Sequence, residues 1–297
     1  MIDSKEINIV CFGEVLWDKF PDYSKIGGAP LNVALRLKSF GVNVELISAI
    51  GNDHFGDQIL TSLNQRNIKT DIIGRNDYPT GVVNISINEK GNARYDIIYP
   101  SAWDKIIFSE KVSDIISKSK VFVFGSLVSR DPVSRESLMK YLSYAKYKVF
   151  DVNLRKPHFT HKGILELMNF SDLIKLNDEE LFEISEALGS KNKSLKQNII
   201  FLSKKTNTKT ICVTKGAYGA VLFHNGNFFK NDGYKVSVID TVGSGDSFLA
   251  ALIFSLFSGN DPQEAVDRAC AIGAIVAASE GANPTITPTM LNDFMLI

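Results

Sequence analysis

The sequence predicts an α/β fold in three layers, with helices covering both faces of a mostly parallel central sheet. Three observations predict this class. Residues 7–65 have the pattern strand, helix, strand, helix, the order that builds a parallel sheet. The same alternation resumes after residue 100. Between these regions, residues 80–99 contain two extended runs with no helix, which predicts a separate small β structure.

The first elements follow from apolar runs and their boundaries. Ile7–Phe12 is mostly apolar and ends at Gly13, which predicts a buried strand. Pro30 suits the first turn of a helix that ends at Gly41. The other elements predicted before residue 80 are an extended piece at 14–20, a strand at Val44–Ile50 and a helix at Phe55–Gln65.

The region without a helix has the pattern of a hairpin. Val82–Ile87 alternates, Glu89–Asn92 has turn residues, and Arg94–Tyr99 is a second extended run. We expect this antiparallel hairpin to stand off the main sheet and to form a small β lid, over residues 14–26 and 79–100. An ordinary surface hairpin is the alternative.

The rest of the chain continues the α/β alternation. Neither an internal repeat nor a linker interrupts it, so we expect one domain over residues 1–297. The predicted strands are Val121–Phe124, Lys148–Val152, Leu173–Leu176, Thr210–Thr214, Ala220–Phe223 and a β-branched run, 236–240. The predicted helices are Val133–Ala145, Ile164–Asn169, Asp178–Leu188, Leu195–Lys205, an apolar run from Asp246 and Pro262–Ser279.

Composition excludes several classes of function. Lys+Arg and Asp+Glu are both 33, so nothing indicates a nucleic-acid surface. The polar N-terminus has no signal-peptide core, and no apolar run reaches the roughly 18 residues of a membrane span. Cys11, Cys212 and Cys270 all lie in apolar runs, which is typical of buried thiols in a reducing compartment. We therefore expect a soluble cytoplasmic protein.

The sequence Gly243-Ser244-Gly245-Asp246 connects an extended run to an apolar helix. A glycine turn at a helix N-terminus leaves backbone N–H groups free and favours anions. An acid beside such a site repels a phosphate, so Asp246 needs an explanation. It is either a plain helix cap or a general base beside a transferring phosphoryl group.

Polar residues also follow three other predicted strands. These polar residues are expected at one edge of the sheet, because ligands of parallel α/β sheets bind at the carboxyl ends of the strands. Each group has a local alternative: a surface position for Arg155, a capping box for Asn177 and Glu180, and a simple turn for the glycines after Thr214. The three groups are Asp151-Val-Asn153-Leu-Arg155, Lys175-Leu-Asn177-Asp-Glu-Glu180 and Thr214-Lys215-Gly216-Ala-Tyr-Gly219.

These patterns together resemble the ribokinase-like, PfkB-type family of carbohydrate kinases, and within it the fructokinases. The resemblance covers residues 7–288. Its most specific parts are Gly27-Gly28-Ala29-Pro30-Leu31-Asn32-Val33-Ala34 and Asp240-Thr241-Val242-Gly243-Ser244-Gly245-Asp246, where Ser244 replaces the usual alanine. Because a serine still has a backbone N–H, we expect the anion-binding turn to be kept. The family fold is a three-layer α/β sandwich with a β lid.

The resemblance implies an ATP-dependent kinase that phosphorylates a sugar hydroxyl, most simply on fructose or a related free hexose or ketose. Asp246 would be the general base, and Gly243, Ser244 and Gly245 would bind the γ-phosphate. Arg155 would reach the sugar or the transferring phosphate. The implied sugar-binding residues are Asp18, Gly28, Asn32, Tyr95, Arg155 and Asp246.

The resemblance also implies a nucleotide site and metal ions. Asn177, Thr214, Gly216 and Gly219 would contact ATP together with the glycines of the turn. Asn177 and Glu180 match an Asn-x-x-Glu motif that organises Mg²⁺ through water. Asp240 and the Val242 carbonyl match part of a site for a monovalent cation such as K⁺. Related families form dimers through their lids, so a homodimer of this kind is implied here.

One departure bears on the substrate: Tyr99 stands where a lid arginine is usual. Ribose, a keto-deoxy sugar acid or a nucleoside are therefore alternative substrates, and a non-catalytic sugar-binding regulator is an alternative function. Three other classes of site lack their sequence patterns. The chain has no complete dinucleotide fingerprint, no Gly-Lys-Ser/Thr phosphate loop and no Gly-x-Ser-x-Gly elbow.

Overall fold

The computed structural model describes residues 7–87 and 93–296, and these contain fourteen strands and ten α-helices. The predicted turn at Glu89–Asn92 lies outside the described residues. The strands are β1 (Asn8–Phe12), β2 (Leu16–Lys19), β3 (Ser24–Gly27), β4 (Asn43–Ile47), β5 (Ala49–Gly51), β6 (Gly74–Asn76), β7 (Gly81–Ile87), β8 (Ala93–Ile97), β9 (Val121–Gly125), β10 (Lys148–Asp151), β11 (Leu173–Asn177), β12 (Thr210–Thr214), β13 (Ala220–His224) and β14 (Asn227–Asn231).

The helices follow the strands in the expected alternation. They are α1 (Ala29–Ser39), α2 (His54–Gln65), α3 (Glu110–Lys118), α4 (Pro132–Leu142), α5 (His161–Asn169), α6 (Asp178–Ala187), α7 (Leu195–Thr206), α8 (Ser244–Phe257), α9 (Pro262–Ala277) and α10 (Pro288–Met295). Within the described ranges, no helix has the length and apolarity needed to cross a membrane.

The main sheet has eight strands in the order β14-β13-β12-β11-β10-β9-β1-β4. The six strands from β12 to β4 are parallel, and β13 and β14 add an antiparallel edge. The carboxyl ends of the parallel strands therefore lie along one edge, as the positions of the polar groups in the sequence require.

Alternating residues of the strands divide the interior into two clusters, one on each face of the sheet. In β1, Ile9 and Cys11 belong to one cluster and Val10 and Phe12 to the other. Helices α1, α8 and α9 pack on the first face, and α4, α6 and α7 on the second. Burial on both faces explains the continuous apolar runs of these strands and confirms the predicted three-layer α/β class.

A second sheet has the order β3-β2-β7-β8. It joins the two segments that the sequence assigned to the lid, since β2 pairs with β7 in parallel and β7 pairs with β8 antiparallel. Its own small cluster consists of Leu16, Val83 and Ile85. This second sheet lies against one end of the main sheet, where Tyr95 and Asp18 reach the same cavity as the strand ends.

The structure corrects three predictions about single elements. Residues 236–240 form no strand, because the N–H groups of Ile239 and Asp240 donate to the carbonyl of Ala277 at the end of α9. The predicted strand Val44–Ile50 is divided between β4 and β5, and β5 pairs with β6 outside the main sheet. Helices α3 and α10 were not predicted.

Candidate active site

The turn before α8 brings the chain close to the last loop of the structure. Gly243 has φ 75°, and a Cβ at this position would lie 2.4 Å from Cβ of Ala282. Both facts require glycine. The N–H of Ser244 donates to the carbonyl of Thr241, and that of Ser247 to the carbonyl of Gly243. Within the described residues, the N–H groups of Gly245 and Asp246 have no acceptor, which leaves them for an anion.

Ser244 contributes less to this turn than the sequence predicted. Its N–H is engaged at 3.2 Å with Thr241. Its hydroxyl donates to the carbonyl of Gly273 on α9, at 2.9 Å. The serine therefore fastens α8 to α9, and the free N–H groups belong to the next two residues.

Asp246 is held by an amide from the other end of the chain. Asn32, on α1, donates from Nδ2 to Oδ2 of Asp246 at 2.8 Å. Asn283 in turn donates from Nδ2 to Oδ1 of Asn32, at 3.1 Å. Asp246 occupies the third position of α8, and no side chain caps this helix through a hydrogen bond. The plain cap interpretation of Asp246 is therefore not supported by its contacts.

A cavity of about 380 Å³ opens between this helix terminus and the second sheet. It includes most of the residues predicted to bind sugar or to act in catalysis. Asn177, Glu180, Ser244 and the three predicted nucleotide residues of 214–219 do not line it. The predicted residues that line it are Asp18, Gly28, Asn32, Tyr95, Arg155, Val242, Gly243, Gly245 and Asp246.

The acids in this cavity are strongly influenced by burial and by one another. The pKa of Asp246 is raised to about 6, mainly by burial and also by Asp151, while Lys175 and Asn32 act in the opposite direction. Burial and the charge of Asp246 raise the pKa of Asp18 to about 6. Both carboxyls are therefore mainly ionised at neutral pH and protonated a little below it.

Gly28 brings the start of α1 against the backbone near β1. Its φ is 118°, and a Cβ there would lie 2.3 Å from the carbonyl oxygen of Glu14. Only glycine permits this approach. The approach sets Asn32, one turn into α1, beside the cavity and opposite α8.

Three lining residues with charged or amide side chains, Lys175, Asn153 and Glu14, were not among the predicted site residues. Lys175, in the middle of β11, forms a buried ion pair with Asp151 at 3.0 Å. Burial lowers the pKa of Lys175, but the carboxylates of Asp151, Glu180 and Asp246 outweigh this and raise it. Asn153 and Glu14 complete the group. Lys175 and Asn153 belong to the polar groups after the strands, so the sequence contained a signal for both.

The second group of predicted residues lies along β11 and β12, beside the cavity. Asn177 and Thr214 are register partners at the ends of these strands. Gly216 and Gly219 flank a short 3₁₀ turn at Gly216–Tyr218.

The predicted Mg²⁺ residues have the geometry of a complete capping box. Oδ1 of Asn177 accepts the N–H of Glu180 at 2.8 Å, and Oε2 of Glu180 accepts the N–H of Asn177 at 2.9 Å. Oε1 of Glu180 accepts the N–H of Leu154 at 2.7 Å. Each carboxylate oxygen of Glu180 keeps a further lone pair, which is available to a water molecule bound to a metal ion.

Asp240 is similarly engaged with the backbone. Its Oδ1 accepts the N–H of Val242 at 2.9 Å, and its Oδ2 accepts the N–H of Gly281 at 3.3 Å. Across the described part of the chain, no three His, Cys, Asp or Glu side chains are grouped to hold a metal ion. Each oxygen of Asp240 keeps a further lone pair that is available to a cation.

A buried acid, an amide that holds it and free N–H groups at a helix N-terminus meet at the carboxyl edge of a parallel sheet. Such a constellation suits the class of proteins that move a phosphoryl group to a small hydroxyl-bearing molecule. The chain belongs to the pfkB family of carbohydrate kinases, because the family model described as "pfkB family carbohydrate kinase" matches residues 9–290. The family predicted from the sequence is thus confirmed, and the protein is an enzyme of this family.

Relatives and solved structures agree with this assignment. Probable fructokinase-5 of Arabidopsis thaliana is 27% identical over 94% of both chains. Putative sugar kinase PH1459 of Pyrococcus horikoshii is 29% identical over 81% of this chain and 74% of its own. The fructokinase of Xylella fastidiosa solved with bound ATP has a TM-score of 0.86 at 20% identity, over 98% of each chain. That likeness supports the fold.

Proposed function

We propose that this enzyme transfers the γ-phosphoryl group of ATP to a hydroxyl of a free sugar, with fructose or a related ketose or hexose as the substrate. One observation carries the proposal. Asp246 lies in the cavity beside the free N–H groups of α8, and Asn32 holds it from across the chain at 2.8 Å. A base and an anion site are thus within one helical turn of each other.

Asp246 acts as the general base. Burial raises its pKa to about 6, so at neutral pH the carboxylate is ionised and is basic enough to accept a proton from the attacking hydroxyl. The N–H groups of Gly245 and Asp246, the turn at Gly243 and the nearby Lys175 stabilise negative charge on the transferred group. A Cβ on Gly245 would lie only 3.3 Å from Nζ of Lys175, which sets this ammonium beside the turn.

The sugar occupies the cavity between the second sheet and α1. Carboxylate and amide groups bind hydroxyls directionally, which apolar contacts do not. Asp18 reaches the cavity from β2, and its Oδ2 lies 2.1 Å from where a Cβ on Gly27 would be. Tyr95, Gly28, Asn32 and Arg155 line the same space.

ATP lies along the neighbouring edge, at Asn177, Thr214, Gly216 and Gly219, with its γ-phosphate toward Gly243–Asp246. Solved structures with high TM-scores include fructokinases described with ATP, or with fructose, ADP and calcium. Mg²⁺ would be organised through water by Asn177 and Glu180, and it would neutralise phosphate charge. Asp240 and the Val242 carbonyl would hold K⁺.

The remaining parts of the proposal concern the whole chain. Residues 1–297 work as one kinase domain, and the second sheet is a lid that closes over the sugar and excludes water. A homodimer forms through the lid. The enzyme acts in the cytoplasm, which the three buried, unpaired cysteines support.

A coupled ATP assay across a panel of substrates tests the proposal. The panel contains fructose, glucose, ribose, a keto-deoxy sugar acid and a nucleoside, each with and without Mg²⁺ and K⁺. We expect turnover that depends on a free sugar and on Mg²⁺. Turnover of only the nucleoside or only the sugar acid would replace the proposed substrate. Sugar binding in calorimetry without any turnover would indicate a regulator.

A further inference from the structure

Glu14 is a buried acid in the sugar cavity to which no role has been assigned. It follows β1, directly beneath the start of α1, and only 4% of the residue is exposed. It lines the cavity together with Asp18 and Asp246. Its Oε2 atom has no hydrogen-bond partner among the described residues. A buried carboxylate oxygen without a partner costs free energy, and this cost favours the protonated form of Glu14.

Burial opposes the ionisation of Glu14. It is the main reason why the pKa of Glu14 is raised to about 7, and Asp246, from α8, makes a smaller contribution in the same direction. Arg155, from the loop after β10, and the N–H groups of Glu14 and Ala29 act in the opposite direction. The other charged groups that line the cavity are Asp18 on β2 and Lys175 on β11, and Lys175 is paired with Asp151. Glu14 is therefore the last of the three cavity acids to lose its proton as pH rises.

We infer that Glu14 binds the sugar in its protonated form, donating a hydrogen bond from its carboxyl group to an oxygen of the substrate. A neutral carboxyl has one O–H donor, whereas a carboxylate has none. Asp18 and Asp246 accept hydrogen bonds when ionised, so Glu14 supplies the opposite polarity. An uncharged polyhydroxylated sugar, whose hydroxyls both donate and accept, fits this combination. The inference rests on the proposed sugar kinase function and deepens it.

A purely structural role makes a different prediction. Glu14 lies by the N-terminus of α1, where a carboxylate stabilises a helix. In that case a neutral residue at position 14 would lower the stability of the fold, and the affinity for the sugar would not depend on pH above 7. The sugar KM, the ATP KM and their pH dependence separate the two roles.

The experiment compares Glu14→Gln, Glu14→Ala and the control Glu136→Ala, whose acid is exposed on α4. KM values are measured from pH 6 to pH 9 with the sugar that the native enzyme turns over fastest. Glu14→Ala should raise the sugar KM by about 5- to 10-fold, the effect of losing one hydrogen bond, and leave the ATP KM unchanged. Glu14→Gln retains a donor and should stay within about threefold of the native sugar KM at pH 6.5.

The pH profile gives the decisive comparison. In the native enzyme and in Glu136→Ala, the sugar KM should rise as the pH increases through about 7, because Glu14 loses its proton. In Glu14→Gln it should stay flat. An unchanged sugar KM in Glu14→Ala, or equal pH dependence in Glu14→Gln and native enzyme, would overturn the inference; if Glu14→Ala fails to fold, the glutamine variant decides. A native enzyme that phosphorylates no sugar would overturn the proposed function as well.

Discussion

Two helices of this enzyme, α6 and α8, begin at the same edge of the sheet with an acid at their third position. In α6 the acid is Glu180, and both of its oxygens accept backbone N–H groups, from Asn177 and from Leu154. In α8 the acid is Asp246, and its described side-chain hydrogen bond comes from Asn32, which is 214 positions away. One acid completes its own helix start, and the other faces a cavity.

The difference shows that the third position of a helix does not by itself define the role of an acid. Asn177 and Glu180 satisfy each other within three residues, so α6 begins stably with no help from the rest of the fold. α8 begins at Gly243, without a side-chain cap. Its free N–H groups and its acid thus remain available to substrates. The contrast predicts large effects on catalysis at α8, and at α6 a loss of stability in addition to weaker binding of Mg²⁺ and ATP.

The largest effect is expected at Asp246. Replacing it with asparagine keeps the shape but removes the base, so kcat should fall by about 10²- to 10⁴-fold, the usual contribution of a positioned acid or base. Sugar affinity should be largely kept. Asp57→Asn is the matched control, since Asp57 is an exposed acid in the first turn of α2. Native kcat in Asp246→Asn, measured by the coupled assay, would reduce Asp246 to a structural acid.

The pH dependence of the reaction should show the same acid. Asp246 must be ionised to accept a proton, and its pKa lies at about 6. Asp18, with a pKa also near 6, must be ionised to accept hydrogen bonds from the sugar. We expect kcat/KM for the sugar to fall at least about tenfold per pH unit below pH 6. A flat profile between pH 5 and 7, with folding verified by circular dichroism, would contradict this.

The sequence predicted the members of the α8 site but not how they meet. Asn32 and Asp246 were identified separately, and only the fold brings two residues 214 positions apart to 2.8 Å. Glu14 and Asn283 had no local signal, because their roles depend on packing against distant segments. Helix α3 did have a local signal, since the apolar residues Val112 and Ile116 stand four positions apart in the sequence, which is a helical spacing. The β-branched run at 236–240 led to a wrong prediction of a strand, because β-propensity depends on a paired neighbour.

Stability should change in opposite directions at the two helices. Asn177→Ala removes a cap and should cost about 1 kcal/mol of unfolding free energy. The pKa of Asp246 in the folded chain is raised, so its protonated form favours folding and this contribution is lost as pH rises through about 6. Asp246→Asn should therefore be more stable than the native enzyme at pH 8, and this gain in unfolding free energy should be smaller at pH 5. Urea unfolding at both pH values tests this, and equal losses in both variants would remove the contrast.

The smallest effect is expected at Asn283, which extends the support of Asp246 by one hydrogen bond. A carboxylate only accepts, so Asn32 must turn its Nδ2 toward Asp246 and its Oδ1 toward Asn283. Asn283→Leu leaves that oxygen unpartnered and should lower kcat by roughly 3- to 10-fold, about the effect of one lost hydrogen bond. It should also move the acid limb of the kcat/KM profile upward, because a loosened Asn32 lowers the pKa of Asp246 less. Thr285→Val, at an exposed position two residues further along the loop, is the control. A kcat loss with no shift of the acid limb would mean that Asn283 supports only the loop, and that the acid of α8 is held by Asn32 alone.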